Sequence, residues 1–201
     1  MKPRFFLLGA LWLAAGAAHA QDVYRTYQNP RFGTVVSYPA NLVAPQTKFK
    51  NGEGRKFVSR DGQIEVTAYA FRNASARSAR GEMNRSISDW KRDTARLTYA
   101  RNGLSWFVVS GYLGNDIFYE KTLLQNGVFH TLIWQYPTVL KRRLDASLSR
   151  SSASFRVAPR TQTRVPEPVF RARPTAAPRF SPKSRPTPQS RAIPRNPANG
   201  Y

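Results

Sequence analysis

The chain has 201 residues, contains no cysteine, and carries 32 basic against 11 acidic side chains, a formal net charge of +21. Without cysteine it can form no disulfide, no thiolate metal site and no lipid attachment through a thiol. The positive charge favours anionic partners, such as lipid head groups, lipopolysaccharide, acidic polysaccharide or nucleic acid, but does not choose among them.

The first twenty residues predict a signal peptide. A basic Met1–Arg4 precedes an apolar run from Phe5 to Ala18, and Ala18-His19-Ala20 fits a cleavage site. The apolar run is shorter than the roughly 20 residues that a membrane anchor needs, and no later segment is long and apolar enough. We therefore predict cleavage near Ala20 and a mature chain that is periplasmic or secreted, with no transmembrane segment.

The pattern of residues 21–157 predicts an α+β globular domain. Alternating and apolar runs predict strands at residues 32–38, 55–60, 63–71, 97–101, 105–113, 117–124 and 128–136. The dipeptides Asp61-Gly62, Asn102-Gly103 and Asn126-Gly127 are typical of tight hairpin turns between such strands.

Two segments of this domain have helical spacing. They run through Met83, Ile87, Trp90 and Thr94, and through Leu140, Leu144 and Leu148 after a predicted N-cap at Thr138. Several strands are apolar on both faces, so the sheet needs cover on both. We predict a twisted antiparallel sheet of about six to seven strands with helices packed on its faces.

Residues 158–201 predict a disordered, cationic tail. The segment holds ten prolines, nine Lys or Arg residues and one acid, and few large apolar residues. Such a composition buries too little apolar surface to offset the entropy cost of ordering. Its candidate anion-binding residues are Arg173, Arg179, Lys183, Arg185, Arg191 and Arg195.

The order of these elements resembles the Mog1/PsbP-like fold. The strings that carry the resemblance are Asn29-Pro30-Arg31-Phe32-Gly33, Trp106–Tyr112 and Phe118–Lys121. The same pattern is similar to small exported bacterial domains of uncharacterised function, and it covers about residues 24–157. The resemblance implies a binding or assembly role rather than an enzyme, and it carries over no catalytic residue.

Glu120 and Lys121 interrupt an otherwise apolar strand and point to opposite faces. One interpretation is structural, with an ion pair or an edge position for the buried charge. The functional interpretation makes Glu120 a polar anchor at the bottom of an aromatic pocket formed with Tyr112 and Tyr119.

Basic side chains are also frequent in the two predicted helical segments. Arg77 and Arg80 open the first helical region, and Lys141, Arg142 and Arg143 open the second. They form either solvated helix faces with ion pairs or an anion-binding surface.

No catalytic constellation is predicted. His130 is the one histidine after the cleavage site and has no partner that the sequence identifies, and the acids are scattered. We predict no metal site and no cofactor.

The predicted function is therefore an exported, non-enzymatic envelope or secreted binding or assembly protein, whose cationic tail tethers it to an anionic surface. An envelope protein is a further candidate partner, through the Pro-Arg tail as a docking peptide. The alternatives are an extracellular nucleic-acid or anionic-polymer binder, and a hydrolase that uses two converging carboxylates.

Overall fold

The computed structural model describes residues 22–49 and 52–159. The predicted signal peptide, and all but the first two residues of the predicted tail, lie outside these ranges.

The described residues form ten strands in two antiparallel sheets. The strands are β1 (Tyr24–Gln28), β2 (Thr34–Pro39), β3 (Ala44–Lys48), β4 (Gly54–Val58), β5 (Glu65–Arg72), β6 (Arg96–Asn102), β7 (Trp106–Leu113), β8 (Asp116–Gln125), β9 (Val128–Pro137) and β10 (Arg156–Val157). Seven of them make one sheet in the order β3-β4-β5-β9-β8-β7-β6, and β1-β2-β10 make the other. This confirms the predicted antiparallel sheet of about six to seven strands. The smaller second sheet was not predicted, and it contains the strand predicted at residues 32–38.

The hairpin turns follow from residues that tolerate a left-handed backbone. Asn126 and Gly127, between β8 and β9, have φ angles of 51° and 69°, as a type I′ turn requires. Gly62, between β4 and β5, has a φ of 73°. The turn dipeptides therefore fix where these strands end.

The first helix, α1 (Ala79–Arg92), begins where the side chain of Ser78 accepts a hydrogen bond from the Gly81 amide at 3.1 Å. This is an N-cap contact that satisfies one of the free amides of the first turn. The prediction that Thr94 belongs to the apolar helix face was wrong, because the helix ends at Arg92. Thr94 follows it with a φ of 66°.

The second helix, α2 (Lys141–Ser154), follows a 3-10 turn at Thr138–Leu140. Thr138 is not its N-cap, contrary to the prediction. Its hydroxyl instead donates to the Asn115 carbonyl at 2.6 Å, which ties the end of β9 to the turn before β8.

Each face of the seven-stranded sheet has its own core. On one side, here the α1 face, Trp90 of α1 packs with Phe107, Phe118 and Ile133. On the other side, the α2 face, α2 and the small sheet cover a second cluster, which includes Val36, Phe57, Leu132, Trp134 and Leu144. The helices therefore cover both apolar faces, as predicted.

Candidate functional site

The predicted pocket of Glu120, Tyr112 and Tyr119 is not formed. Glu120 pairs across the strands with Val109, a residue of the α1-face core, whereas Tyr112 and Tyr119 pack with the α2-face core. Directly paired residues of an antiparallel sheet share a face, so the acid and the tyrosines lie on opposite sides. The predicted edge position and ion pair of Glu120 were also wrong, because β8 is a central strand and Glu120 makes no ion pair with the described residues.

Glu120 is the centre of a buried polar cluster under α1. Its Oε2 accepts hydrogen bonds from the Ser86 hydroxyl and the Trp90 indole N–H, each at 2.7 Å. Thr122 donates to Oε1 at 3.3 Å and also bonds the Thr131 hydroxyl at 2.9 Å. The cluster thus joins α1 to β8 and β9, and none of its hydrogen bonds among the described residues comes from a cation.

Burial raises the pKa of Glu120 above its ordinary value, and the hydrogen bonds from Ser86, Trp90 and Thr122 oppose that rise. The carboxyl is 5% exposed, so the neutral acid is favoured over a wider pH range than in water. A carboxyl sealed in this way holds the helix in place and offers no surface to a ligand.

On the α2 face, Tyr119 and Lys121 contact the last turn of α2. The Lys121 ammonium donates to the Ser152 carbonyl at 2.7 Å, and the Tyr119 hydroxyl bonds the Ser152 hydroxyl at 2.8 Å. Burial lowers the pKa of Lys121. A cation beside the final carbonyls of a helix stabilises the helix, so both side chains hold α2 on the sheet.

Beyond α2, the same face of β6 and β7 is open to solvent. We call this surface the open strip and define it as Arg96, Tyr99, Arg101, Trp106 and Tyr112. Tyr99 is 47% exposed and Trp106 is 37% exposed, which places both among the large apolar side chains that the described residues leave exposed. A surface with exposed rings and cations is the strongest candidate site in the described residues.

A bulge in β6 gathers these residues on one face. Leu97 pairs with Gly111, but the next pair along the ladder is Tyr99 with Ser110, so Thr98 is an extra residue. Without this bulge, Arg96 and Tyr99 would point to opposite faces because they are three residues apart. Instead the Arg96 guanidinium lies 4.7 Å from the centre of the Tyr112 ring.

Trp106 is seated by a glycine. A Cβ atom at Gly103 would lie 2.3 Å from the Trp106 indole nitrogen, closer than such atoms come in real structures. The indole therefore lies across the β6–β7 turn, and no other residue fits at position 103 without moving it. Sequence reasoning identified Gly103 only as a turn residue and missed this contact.

The open strip carries no carboxylate. The acids of β6, β7 and β8 are Asp116 and Glu120, and both side chains are buried. Asp116 pairs with Leu113, which packs in the α1-face core, so both acids lie on the opposite face from the strip. The strip is therefore positive along its length.

The helix cations predicted to bind anions are divided between two faces. Three of them already form ion pairs: Arg77 with Glu82 at 2.5 Å, Lys141 with Asp145 at 2.7 Å, and Arg143 with Asp22 at 3.3 Å. Arg80 and Arg142 are exposed and have no acid partner among the described residues. Because α1 and α2 cover opposite faces, the fold does not bring these cations together. The predicted tail cations, from Arg173 to Arg195, lie outside the described residues.

His130 is a buried, hydrogen-bonded histidine of β9. It is 1% exposed, and its Nδ1 lies 2.8 Å from the Thr34 hydroxyl of β2, so it joins the two sheets. In the described ranges, no three His, Asp or Glu side chains lie close enough together to hold a metal ion.

A shallow cavity of about 730 Å³ lies at the far edge of the large sheet. It is bordered by the segment from Ala40 to Gln46 and by Lys56, whose ammonium pairs with Glu65 at 2.7 Å. The ion pair involves two of the three charged residues that border this cavity, the third being Arg60, and the lining holds no aromatic ring. The cavity is therefore a weaker candidate than the open strip.

Comparison with known proteins supports the fold and leaves the function open. No protein-family model and no curated protein matches the chain. Within the described ranges, no helix has the length and apolar character needed to cross a membrane.

Among solved structures, the solution structure of cyanobacterial PsbP (CyanoP) from Synechocystis sp. PCC 6803 is similar, with a TM-score of 0.53 and 14% identity. The match covers 75% of this chain and 99% of that chain. It agrees with the element order seen here and confirms the resemblance found in the sequence. The chain therefore has a PsbP-like α+β fold.

Proposed function

We propose that the chain is an exported, non-enzymatic binding or assembly protein of the bacterial envelope, tethered to an anionic surface by its cationic tail. The signal-peptide pattern of residues 1–20 supports export. The PsbP-like fold supports a binding role, because proteins that share it mostly act as binding or assembly factors. Since a fold alone does not assign a function, the charge distribution carries the proposal.

The observation that carries it is the positive charge left after ion pairing. Residues 21–157 contain 21 basic and 10 acidic side chains, and residues 158–201 contain nine basic and one. In the described ranges, exposed cations without an acid partner occur on several elements: Arg25, Arg60, Arg72, Arg80, Lys91, Arg101 and Arg142. The excess is therefore directed to solvent, where it attracts anions.

The tail has enough charge to act as a tether. Each Lys or Arg near an anionic lipid surface contributes roughly 1 kcal/mol, and the tail carries eight more basic than acidic side chains. Salt screens this attraction over a distance of about 8–10 Å at physiological ionic strength, so binding should weaken steeply as salt rises.

Charge-reversal variants distinguish binding by the tail from binding by the folded domain. We expect Arg185→Glu with Arg191→Glu to weaken binding to anionic phospholipid vesicles and to lipopolysaccharide by at least tenfold at low salt, since each reversal removes two units of attraction. The matched control is Arg80→Glu with Arg142→Glu, which changes the net charge equally on the folded domain. We expect that control to bind nearly as well as the parent chain.

Unchanged vesicle binding by the tail variant, or an equal loss in both variants, would rule out a tail tether. Export is tested separately by sequencing the N-terminus of the chain recovered from the periplasm or medium of a bacterial host. An N-terminus at Gln21 supports the proposal, and an uncleaved chain retained in the cytoplasm contradicts it.

A further inference from the structure

Rings and cations alternate along the open strip. In register order, the exposed face presents Trp106, then Arg101, then Tyr99, then Arg96 stacked on Tyr112. Neighbouring positions on one face of a strand are about 7 Å apart, because each residue rises about 3.4 Å. The strip is therefore a row of four positions, about 20 Å long, in which a flat apolar group and a positive charge follow each other.

Two departures from regular strand structure aim these side chains. The bulge at Thr98 turns Arg96 and Tyr99 to the same face, and Gly103 leaves room for the indole of Trp106. Bulges are found where a strand must redirect a side chain, and they interrupt the hydrogen-bond ladder. The bulge lets Leu97 keep its place in the α1-face core while Arg96 and Tyr99 both face the open strip.

We propose that the open strip binds single-stranded nucleic acid, with bases stacked on Trp106 and Tyr99 and phosphates held by Arg96 and Arg101. Each nucleotide offers one flat base and one phosphate, which matches the alternation of ring and cation. Arginine binds phosphate oxygens in a forked geometry, and exposed aromatic rings stack on bases of any sequence. A duplex does not fit this surface, because its base faces are covered by neighbouring base pairs.

This inference goes beyond the tail tether and does not depend on it. The tail also attracts any polyanion, so the test must report the contribution of the bases rather than that of the phosphates. An abasic strand provides this distinction, since it keeps every phosphate and removes every base.

The probe is a fluorescein-labelled thymidine oligonucleotide of about 15 nucleotides, compared with an abasic strand of equal length by fluorescence anisotropy on the full chain. We expect the thymidine strand to bind at least tenfold more tightly, since stacking on one ring strengthens binding by roughly tenfold. In the Trp106→Ala, Tyr99→Ala double variant, the ratio of the affinities for the thymidine and abasic strands should fall to about one. A uridine oligonucleotide of the same length shows whether the strip distinguishes RNA from DNA.

A second measurement reports on Trp106 itself. Trp90 and Trp134 are buried, so the exposed Trp106 is the indole that a base can reach in the folded domain. We expect the thymidine strand to quench this emission, and the abasic strand to leave it nearly unchanged. Trp106→Phe should lose the quenching but recover part of the preference for bases, because a phenyl ring still stacks.

The cations have a matched pair of variants. Arg101→Ala should weaken the binding of both strands alike and lower the slope of log K against log salt by about one. Arg142→Ala removes another exposed cation, from α2, and we expect it to leave the thymidine-to-abasic ratio and the indole quenching unchanged. The Arg185→Glu, Arg191→Glu variant should also leave that ratio unchanged, even where it weakens overall affinity.

Equal binding of the thymidine and abasic strands by the parent chain would overturn the inference. A preference for bases that persists without both rings would overturn it too, because the bases would then lie elsewhere. So would an acidic polysaccharide such as heparin that binds through Trp106 and Tyr99 while the oligonucleotides do not. None of these results bears on vesicle binding by the tail, so the two proposals fail separately.

Discussion

Replacing Glu120 tests how strongly the buried carboxyl holds α1 on the sheet. In Glu120→Ala, the Trp90 indole N–H and the Ser86 hydroxyl lose the oxygen to which they donate at 2.7 Å. Each buried group left without a partner costs about 1–3 kcal/mol, and a buried side chain cut back to alanine leaves a cavity with a further cost. We expect the free energy of unfolding to fall by about 3–5 kcal/mol, a large part of the stability of a typical domain.

Glu120→Gln is the milder companion, because its amide oxygen can still accept from Trp90 and Ser86. Its amide group, however, faces the Thr122 hydroxyl where Oε1 accepted a bond at 3.3 Å. We expect a loss of about 0.5–1.5 kcal/mol at acidic pH, the value of one ordinary hydrogen bond.

The stability of the parent chain and that of Glu120→Gln should also depend differently on pH. Burial raises the pKa of Glu120 above its ordinary 4.5, so the folded state keeps this proton at pH values where the unfolded chain has released it. Its contribution to stability is complete below about pH 4.5 and is lost as pH rises through the folded pKa, with a slope of at most about 1.4 kcal/mol per pH unit. The glutamine cannot titrate, so the stability advantage of Glu120 over Gln should shrink as pH rises.

Urea unfolding followed by circular dichroism, from about pH 4 to pH 8, measures both effects through the midpoint and slope of each transition. Identical pH profiles for the parent chain and Glu120→Gln would refute the reasoning. So would a Glu120→Ala variant that loses less than about 1 kcal/mol, because a carboxyl with that little effect does not anchor the helix.

Two further substitutions test the contacts between strands. In Gly111→Ala, the new Cβ would lie 2.2 Å from a backbone carbonyl oxygen of β6, so this edge strand must move. We expect the free energy of unfolding to fall by about 1–3 kcal/mol and the β6 amides to exchange hydrogen faster. His130→Phe places a slightly larger ring at this buried position and leaves the buried Thr34 hydroxyl without its 2.8 Å partner, and a loss of about 1–3 kcal/mol in urea unfolding is expected. His130→Phe with Thr34→Val should recover part of that loss, and a double variant less stable than the single one would contradict this account.

Much of the fold could be predicted from local sequence signals. The Asn126-Gly127 turn and the alternation on either side of it define β8 and β9, and two segments of helical spacing define α1 and α2. The small sheet was missed because β1 is short and mostly exposed, and β10 has two residues. Its pairing with β2 connects residues more than a hundred positions apart, which no local pattern reports.

The candidate site was only partly predictable. Tyr112 was predicted to line an aromatic pocket with Tyr119 and Glu120, but this grouping overlooked that neighbouring residues on a strand, such as Tyr119 and Glu120, point to opposite faces. The tight turn between β7 and β8 sets Tyr112 opposite Ile117. Ile117 and Tyr119 are two residues apart on β8, so the two tyrosines share a face. The bulge at Thr98 left no sequence signal, so nothing indicated that Arg96 would join them.

The alternation of faces also makes the two proposed roles of β7 and β8 separable. Glu120 and its donors lie under α1, whereas the open strip uses partly exposed side chains of the other face. Cutting back the exposed Arg101 side chain costs little stability, because it stays in water in both the folded and unfolded states, whereas Trp106 is only 37% exposed. Arg101→Ala should therefore weaken strand binding without changing the urea midpoint, and Glu120→Gln should change the midpoint without changing the preference for bases. If either of these variants shifted both quantities, the strands would transmit a change from one face to the other.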